Sequence, residues 1–263
     1  MLTTATLPRP IDARAMAVLA PSRNLRAVPA GDGLRAHRIA ETLRLVDEAL
    51  QPQRRIVRAG DIVYRAGERF DCLHLLNSGL VKVVKFTEDG REQVVGIKFR
   101  GDWLGLDGIA HGSYGCDGVA MDTGEVWSIR YDQLIAASAR QPALLGALHG
   151  AMSLEITRER ESLMSVCTLP ADARVADFLR FMAESLASQG LRTDQLTLRM
   201  TRAEIGNYLG LTLESVSRAL SRLAREEVIV FAGKGRRDVC IPHVDALSCF
   251  VQRCIAPVGT SLQ

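Results

Sequence analysis

No apolar run in this 263-residue sequence approaches the roughly 18 residues that a membrane-crossing helix needs, so no helical span is expected. The opening stretch MLTTATLPRPIDARAMAVLAPSR puts prolines and charges where a secretory signal requires an unbroken apolar segment, and the expected location is the cytoplasm. Closely spaced cysteine pairs are missing too. Cys72, Cys116, Cys167, Cys240, Cys249 and Cys254 are scattered without a single CxxC, which argues against a zinc site and, in a reducing compartment, against a disulfide framework. A bias of charge is also lacking, with 33 Lys and Arg against 30 Asp and Glu and a net charge of +3. Any affinity for nucleic acid must therefore come from where the charges sit. No phosphate-cradling glycine-rich loop precedes a helix, and no nucleophile stands beside a base, so an enzyme is not expected.

With 47% hydrophobic residues the chain can fold around a core, and its length suits two ordinary domains. Residues 1–35, rich in Ala, Pro, Arg and Gly without a sustained period, read as a flexible extension. A helix is expected from His37 to Leu50, where Leu43, Val46 and Leu50 recur at helical spacing. From Arg55, short β-branched runs alternate with glycines at 60, 67, 79, 90, 96, 101 and 105, positions where positive φ or a tight turn is expected. LVKVVKF-TEDG-REQVVGIKF reads as a hairpin. Residues 36–140 are thus expected to form a small antiparallel barrel or roll, with its strands ending near Asp132. The period turns helical over 141–170, where Leu145, Met152 and Val166 share one heptad position and Ile156 and Leu163 another, a stripe that fits pairing with a second copy. Leu169-Pro170 ends that helix. Residues 171–250 read as a compact helical domain, opened by the apolar face Val175, Phe178, Leu179 and Met182 and containing a short strand at 195–199. Residues 251–263 read as a tail.

The richest segment is MTRAEIGNYLGLTLESVSRALSRLAREEVIVFAGKGRRDVCI, residues 200–241. Thr201 and Glu204 form a capping-box pattern, Ile205 and Leu209 give the first helix an inner face, Gly210 supplies a turn and Thr212 caps a second helix. Val216, Ala219, Leu220 and Leu223 face inward there, leaving Glu214, Ser217, Arg218 and Ser221 as one outward stripe. Arg218 suits guanine O6 and N7, Glu214 suits cytosine N4, and Ser217 can bond or pack beside a base. Thr201, Arg202, Thr212, Ser221, Arg222 and, on an expected hairpin wing, Lys234, Arg236 and Arg237 are candidate contacts to the DNA backbone. Glu214 and Arg218 also have the spacing of an ordinary i, i+4 ion pair. The capping box, glycine turn and basic wing together favour double-stranded DNA as the partner.

TRAEIGNYLGLTLESVSR and GDWLGLDGI resemble the CRP/FNR family, and within it the oxygen-responsive FNR branch; the likeness covers roughly residues 45–245. It implies an α+β chain with an N-terminal double-stranded β-roll (a cyclic-nucleotide-binding-like jelly roll), a long dimerisation helix and a C-terminal winged helix-turn-helix. The branch's E-x-x-S-R reading pattern falls on Glu214, Ser217 and Arg218, with Leu213 where the cyclic-AMP receptor branch has arginine. The resemblance thus implies a homodimer on a palindrome of TTGAT-like half-sites, activation of transcription and contact with RNA polymerase.

The chain departs from the family at its sensor. No cysteine precedes Cys72, and Trp127 stands where the fourth ligand of the branch's [4Fe–4S] cluster is expected, so no such cluster is expected. Leu106 follows Gly105 where the nucleotide pocket has glutamate, and SYGCDGVA holds no arginine to meet a phosphate, which argues against cyclic AMP. No cofactor is therefore the leading expectation. Cys72 and His74, two apart on a strand, leave haem open, and Cys116 in a glycine-rich loop leaves an oxidisable thiol. Also open at this point are a loose metal site at Cys240, Cys249 and Cys254, a small-ligand sensor, and a nucleotide-binding module acting through protein contacts.

Overall fold

The computed structural model describes residues 32–233 and 235–256. It opens with helix α1 (Asp32–Leu50), followed by strands β1 (Gln53–Val57), β2 (Ile62–Tyr64), β3 (Cys72–Ser78), β4 (Val81–Phe86), β5 (Glu92–Lys98) and β6 (Trp103–Leu104). The one-turn helix α2 (Gly108–His111), strands β7 (Asp117–Ala120) and β8 (Gly124–Arg130), and helices α3 (Tyr131–Ser138) and α4 (Ala143–Thr168) come next. The C-terminal part contains α5 (Ala171–Ala187), β9 (Gln195–Thr197), α6 (Arg202–Leu209), α7 (Leu213–Arg225), β10 (Val230–Phe231), β11 (Asp238–Cys240) and α8 (Val244–Ile255). No described helix is long and apolar enough to cross a membrane.

Eight strands form two antiparallel four-stranded sheets, ordered β1-β8-β3-β6 and β2-β7-β4-β5. Val57, Leu76, Leu104 and Val126 of the first sheet meet Val63, Tyr64, Val81 and Ala120 of the second between the layers. Leu73, Leu75, Trp127 and Ile129, on the other face of the first sheet, pack under Leu43 and Val46 of α1, Leu134 of α3, and Leu144 and Leu148 of α4. Because that sheet is covered on both sides, Leu73, His74, Leu75 and Leu76 are buried in an unbroken run. The hairpin expected from the sequence is present, with β4 paired to β5.

Several boundaries differ from those the sequence suggests. Helix α1 starts at Asp32, before His37, because Ile39, Leu43 and Val46 anchor it and the preceding turn propagates at little cost. The remainder of the expected N-terminal extension lies outside the described residues. Residues 251–255, read as tail, continue α8, since Phe250 and Val251 are buried and hold that turn down. Gly96 is not a turn glycine. It lies within β5 opposite Val83, at the register shift between Val83 and Val84.

Helix α4 presents different surfaces along its length. Leu144 and Leu148 are buried against the roll, Leu145 and Met152 are partly covered, and Ile156 and Leu163 stand 46% and 63% exposed. Val166 turns away from that exposed seam toward Gly210, whose added Cβ would lie 3.8 Å from Val166 Cγ1. The expected apolar stripe is therefore open to a partner mainly at Ile156 and Leu163.

Candidate nucleic-acid interface

Residues 171–255 fold around α5, which packs against α7 and α8 through Val175, Phe178, Leu179 and Met182, all buried. Thr201 caps α6 as its pattern requires: its Oγ1 accepts from Glu204 N at 3.1 Å, while Glu204 Oε2 accepts from Thr201 N at 2.8 Å. Gly210 ends α6 in the left-handed region, with φ 64° and ψ 39°. Gly206 has a separate reason to lack a side chain, because its Cβ would lie 2.6 Å from Leu211 O, inside the turn backbone. Thr212 then caps α7 by accepting from Ser215 N.

Val216, Ala219, Leu220 and Leu223 are buried beneath α7, so its opposite face is turned to solvent with Glu214, Arg218 and Ser221 exposed and Ser217 partly so. Among the described residues Glu214 and Arg218 form no ion pair with each other; the Arg218 guanidinium donates to Ser215 Oγ at 3.2 Å. Hydrogen bonds from its own backbone and from Thr212, and then the Arg218 charge, hold Glu214 below the usual carboxylate range, which keeps it an ionised acceptor. Leu213, at the start of the same helix, is 47% exposed.

Beside this face runs a groove of about 350 Å³, lined by Thr201, Arg202, Ser217, Ser221, Arg236 and Arg237. Its floor includes Phe231, with Arg202 and Arg236 over the ring at 5.9 and 5.3 Å. Burial and then the charges of Arg236 and Arg237 push Arg202 below the ordinary arginine value. Cations held close together with no carboxylate lining the groove make a site that an anion stabilises. Antiparallel β10 and β11 form the wing, and Arg236 sits at its turn with φ 51°. Lys234 lies outside the described residues.

Three backbone candidates already have partners within the protein, and for Arg222 local spacing did not indicate them. Arg222 donates to Asp172 Oδ2 at 2.6 Å and to Glu226 Oε1 at 2.9 Å and lies over the Phe250 ring, tying α5, α7 and α8 together. Its carboxylate partners, Glu226 first, raise its pKa further, so this exposed guanidinium is engaged within the domain. The Thr201 hydroxyl gives its single proton to Glu204 Oε2, and that of Thr212 has Ser215 Oγ and the Glu214 carboxylate as acceptors within the turn.

The sensor candidates are drawn together inside the roll. His74 stacks on Tyr64 with ring centroids 5.4 Å apart, and Tyr64 packs on Tyr114 at 4.5 Å. Gly118 and Gly105 leave room for these rings, since an added Cβ would lie 2.6 Å from Tyr64 and 2.7 Å from Tyr114. Nearby, Asp107 and Asp117 accept from Gly115 N and Ala66 N, placing carboxylates where a phosphate would need donors. His74 Nδ1 is 3.0 Å from Ser128 Oγ and Nε2 is 3.3 Å from Tyr114 Oη, so both ring nitrogens have partners within the roll. Burial raises the Cys72 thiol, and burial together with Asp107 pushes Cys116 up to about 11, so both stay protonated at neutral pH, unlike a reactive thiolate. Trp127 is buried among Leu73, Leu75 and Ile129, with no thiolate to offer iron. Among the described residues no group of His, Cys, Asp and Glu is arranged to hold a metal.

Comparison with known proteins gives matches across both halves. Residues 54–141 match the cyclic nucleotide-binding domain family, and residues 173–250 match the Crp-like helix-turn-helix domain family. The transcriptional regulatory protein Btr of Bordetella pertussis is 32% identical over 208 residues, covering 79% of this chain and 86% of its own. The fumarate and nitrate reduction regulatory protein of Escherichia coli is 31% identical over 192 residues, covering 73% and 76%. The structure of FixK2 from Bradyrhizobium japonicum superposes with a TM-score of 0.67 at 26% identity, covering 75% of this chain and 96% of FixK2.

Proposed function

The chain belongs to the CRP/FNR family of DNA-binding transcription regulators, which are not enzymes, and we propose that it acts in the cytoplasm as a homodimeric activator at palindromic promoter sites. The observation that carries this reading is the outward stripe of α7, where an ionised acceptor, a hydroxyl and a guanidinium stand together clear of the core. Glu214, Ser217 and Arg218 read a TTGAT-like half-site, and Arg202, Ser221 and Arg236 with Arg237 hold phosphates beside it. The exposed seam at Ile156 and Leu163 joins two copies so that their reading helices enter successive major grooves. RNA polymerase is recruited through the protein surface left free by DNA. The roll works without nucleotide, haem or cluster, a reading supported by its filled aromatic interior and by the engaged nitrogens of His74.

Gel-shift titration at fixed salt tests the base-reading assignment. Arg218→Ala should cost about 1–3 kcal/mol on the intact palindrome and lose discrimination at one guanine per half-site. Discrimination between intact and guanine-substituted sites that survives the substitution would remove Arg218 from this role.

A further inference from the structure

The strand β5 lies at the edge of its sheet, so one side of its backbone has no strand partner. Asn207 of α6 covers that edge. Its Nδ2 donates to Glu92 O at 2.7 Å and its Oδ1 accepts from Val94 N at 2.6 Å, so one side-chain amide takes the place of a neighbouring strand's peptide group. The Asn207 carbonyl in turn accepts from Gln93 Nε2 at 2.6 Å. One turn earlier on the same face of α6, Glu204 Oε1 accepts from Lys82 Nζ of β4 at 2.7 Å, and Lys82 also pairs with Glu92. Beneath these bonds Val94, Ile97 and Phe99 of the roll share one core with α5, and Phe99 meets Phe181 edge-on at 5.6 Å. Asparagine is a poor residue for a helix interior, so its place in α6 calls for a reason outside the helix.

We infer that Asn207 is a positioning residue for DNA reading: its amide fastens helix α6 to the edge of the roll and thereby fixes where the outward face of α7 points. The inference rests on the reading of α7 as the base-reading helix. Ile205 and Leu209 of α6 are buried within the reading domain, while Glu204 and Asn207 reach the roll. A rotation of the reading domain against the roll must break these bonds. A domain already held in one orientation binds without giving up that freedom, and apparent affinity scales with the fraction of molecules so held.

The test uses the full-length chain with Asn207→Asp, which keeps the acceptor and shape but replaces the donor by an oxygen facing Glu92 O. Gln93→Ala, a milder change on the roll side, guards against a variant that does not fold. Circular dichroism checks folding, hydrogen exchange follows the Val94 amide, and fluorescence anisotropy measures binding to the palindrome and to a guanine-substituted control. Affinity is expected to fall on the order of tenfold for Asn207→Asp and less for Gln93→Ala. The preference for the intact site and the salt slope should match wild type. Equal or tighter binding by a folded Asn207→Asp protein overturns the inference, and so does a change in base preference, which would place the damage within α7. Wild-type protein that binds no duplex would instead overturn the base-reading assignment itself.

Discussion

Arg218 and Arg222 stand one helical turn apart on α7, yet their surroundings give them different work. Arg222 faces Asp172, Glu226 and the Phe250 ring, whereas among the described residues Arg218 donates only to the Ser215 hydroxyl and keeps most of its donors for a base. Residue type alone could not separate them, because Asp172 lies fifty positions away in sequence. His74 shows the same dependence on surroundings. It is buried between Tyr64, Tyr114 and Ser128, and burial, aided by the Arg55 charge, lowers its pKa from 6.5 to about 4. The native roll therefore holds it neutral while the unfolded chain binds a proton below pH 6.5. This contribution to stability is complete above that pH, declines as pH falls toward 4 and then levels off. The loss should reach about 2 kcal/mol by pH 5. Urea melts at pH 7.5 and pH 5 on wild type and His74→Phe check this, the variant losing correspondingly less on acidification. Equal losses in both proteins would mean that His74 takes up its proton in the folded roll.

Individual elements are shaped by what lies on each of their sides. Strand β3 departs from simple alternation because helices cover one face of its sheet and the second sheet covers the other. Helix α4 carries a divided load, its first turns packed on the roll, its middle tied by Lys98 to Glu155 and Arg158 to Asp102, and its Ile156 and Leu163 open to solvent. A pair of glutamates at these two exposed positions should dissociate the proposed dimer and leave the single chain folded, because exposed substitutions usually cost within about 0.5 kcal/mol. Sedimentation velocity reads the mass and circular dichroism the helix content. A variant that keeps the dimer mass would take this seam out of the interface.

Across the whole molecule, a net charge of +3 conceals a local concentration of cations around the groove beside α7. Binding there should show the salt dependence of phosphate contacts, whatever the overall balance of charge. Arg236→Ala removes one such contact per subunit. On a palindrome, the slope of log K against log salt should shrink in magnitude by about 2, with base preference unchanged. Anisotropy titrations over a salt series measure it, and an unaltered slope would place the wing tip away from the backbone.

The turn between α6 and α7, the capping box, the inward row on α7 and the hairpin β4–β5 follow from spacing and turn chemistry within a few residues, and these are legible in the sequence. Local signals also give the outward stripe of Glu214, Ser217 and Arg218, since a helix with one apolar face must present the other to solvent. Tertiary structure decided the rest through contacts between residues distant in the chain. It paired Arg222 with Asp172 and Glu226, gave both nitrogens of His74 partners and raised the thiol of Cys116. It also brought Asn207 to the backbone of β5, more than one hundred residues away, a pairing set by how two domains pack and therefore absent from any local pattern.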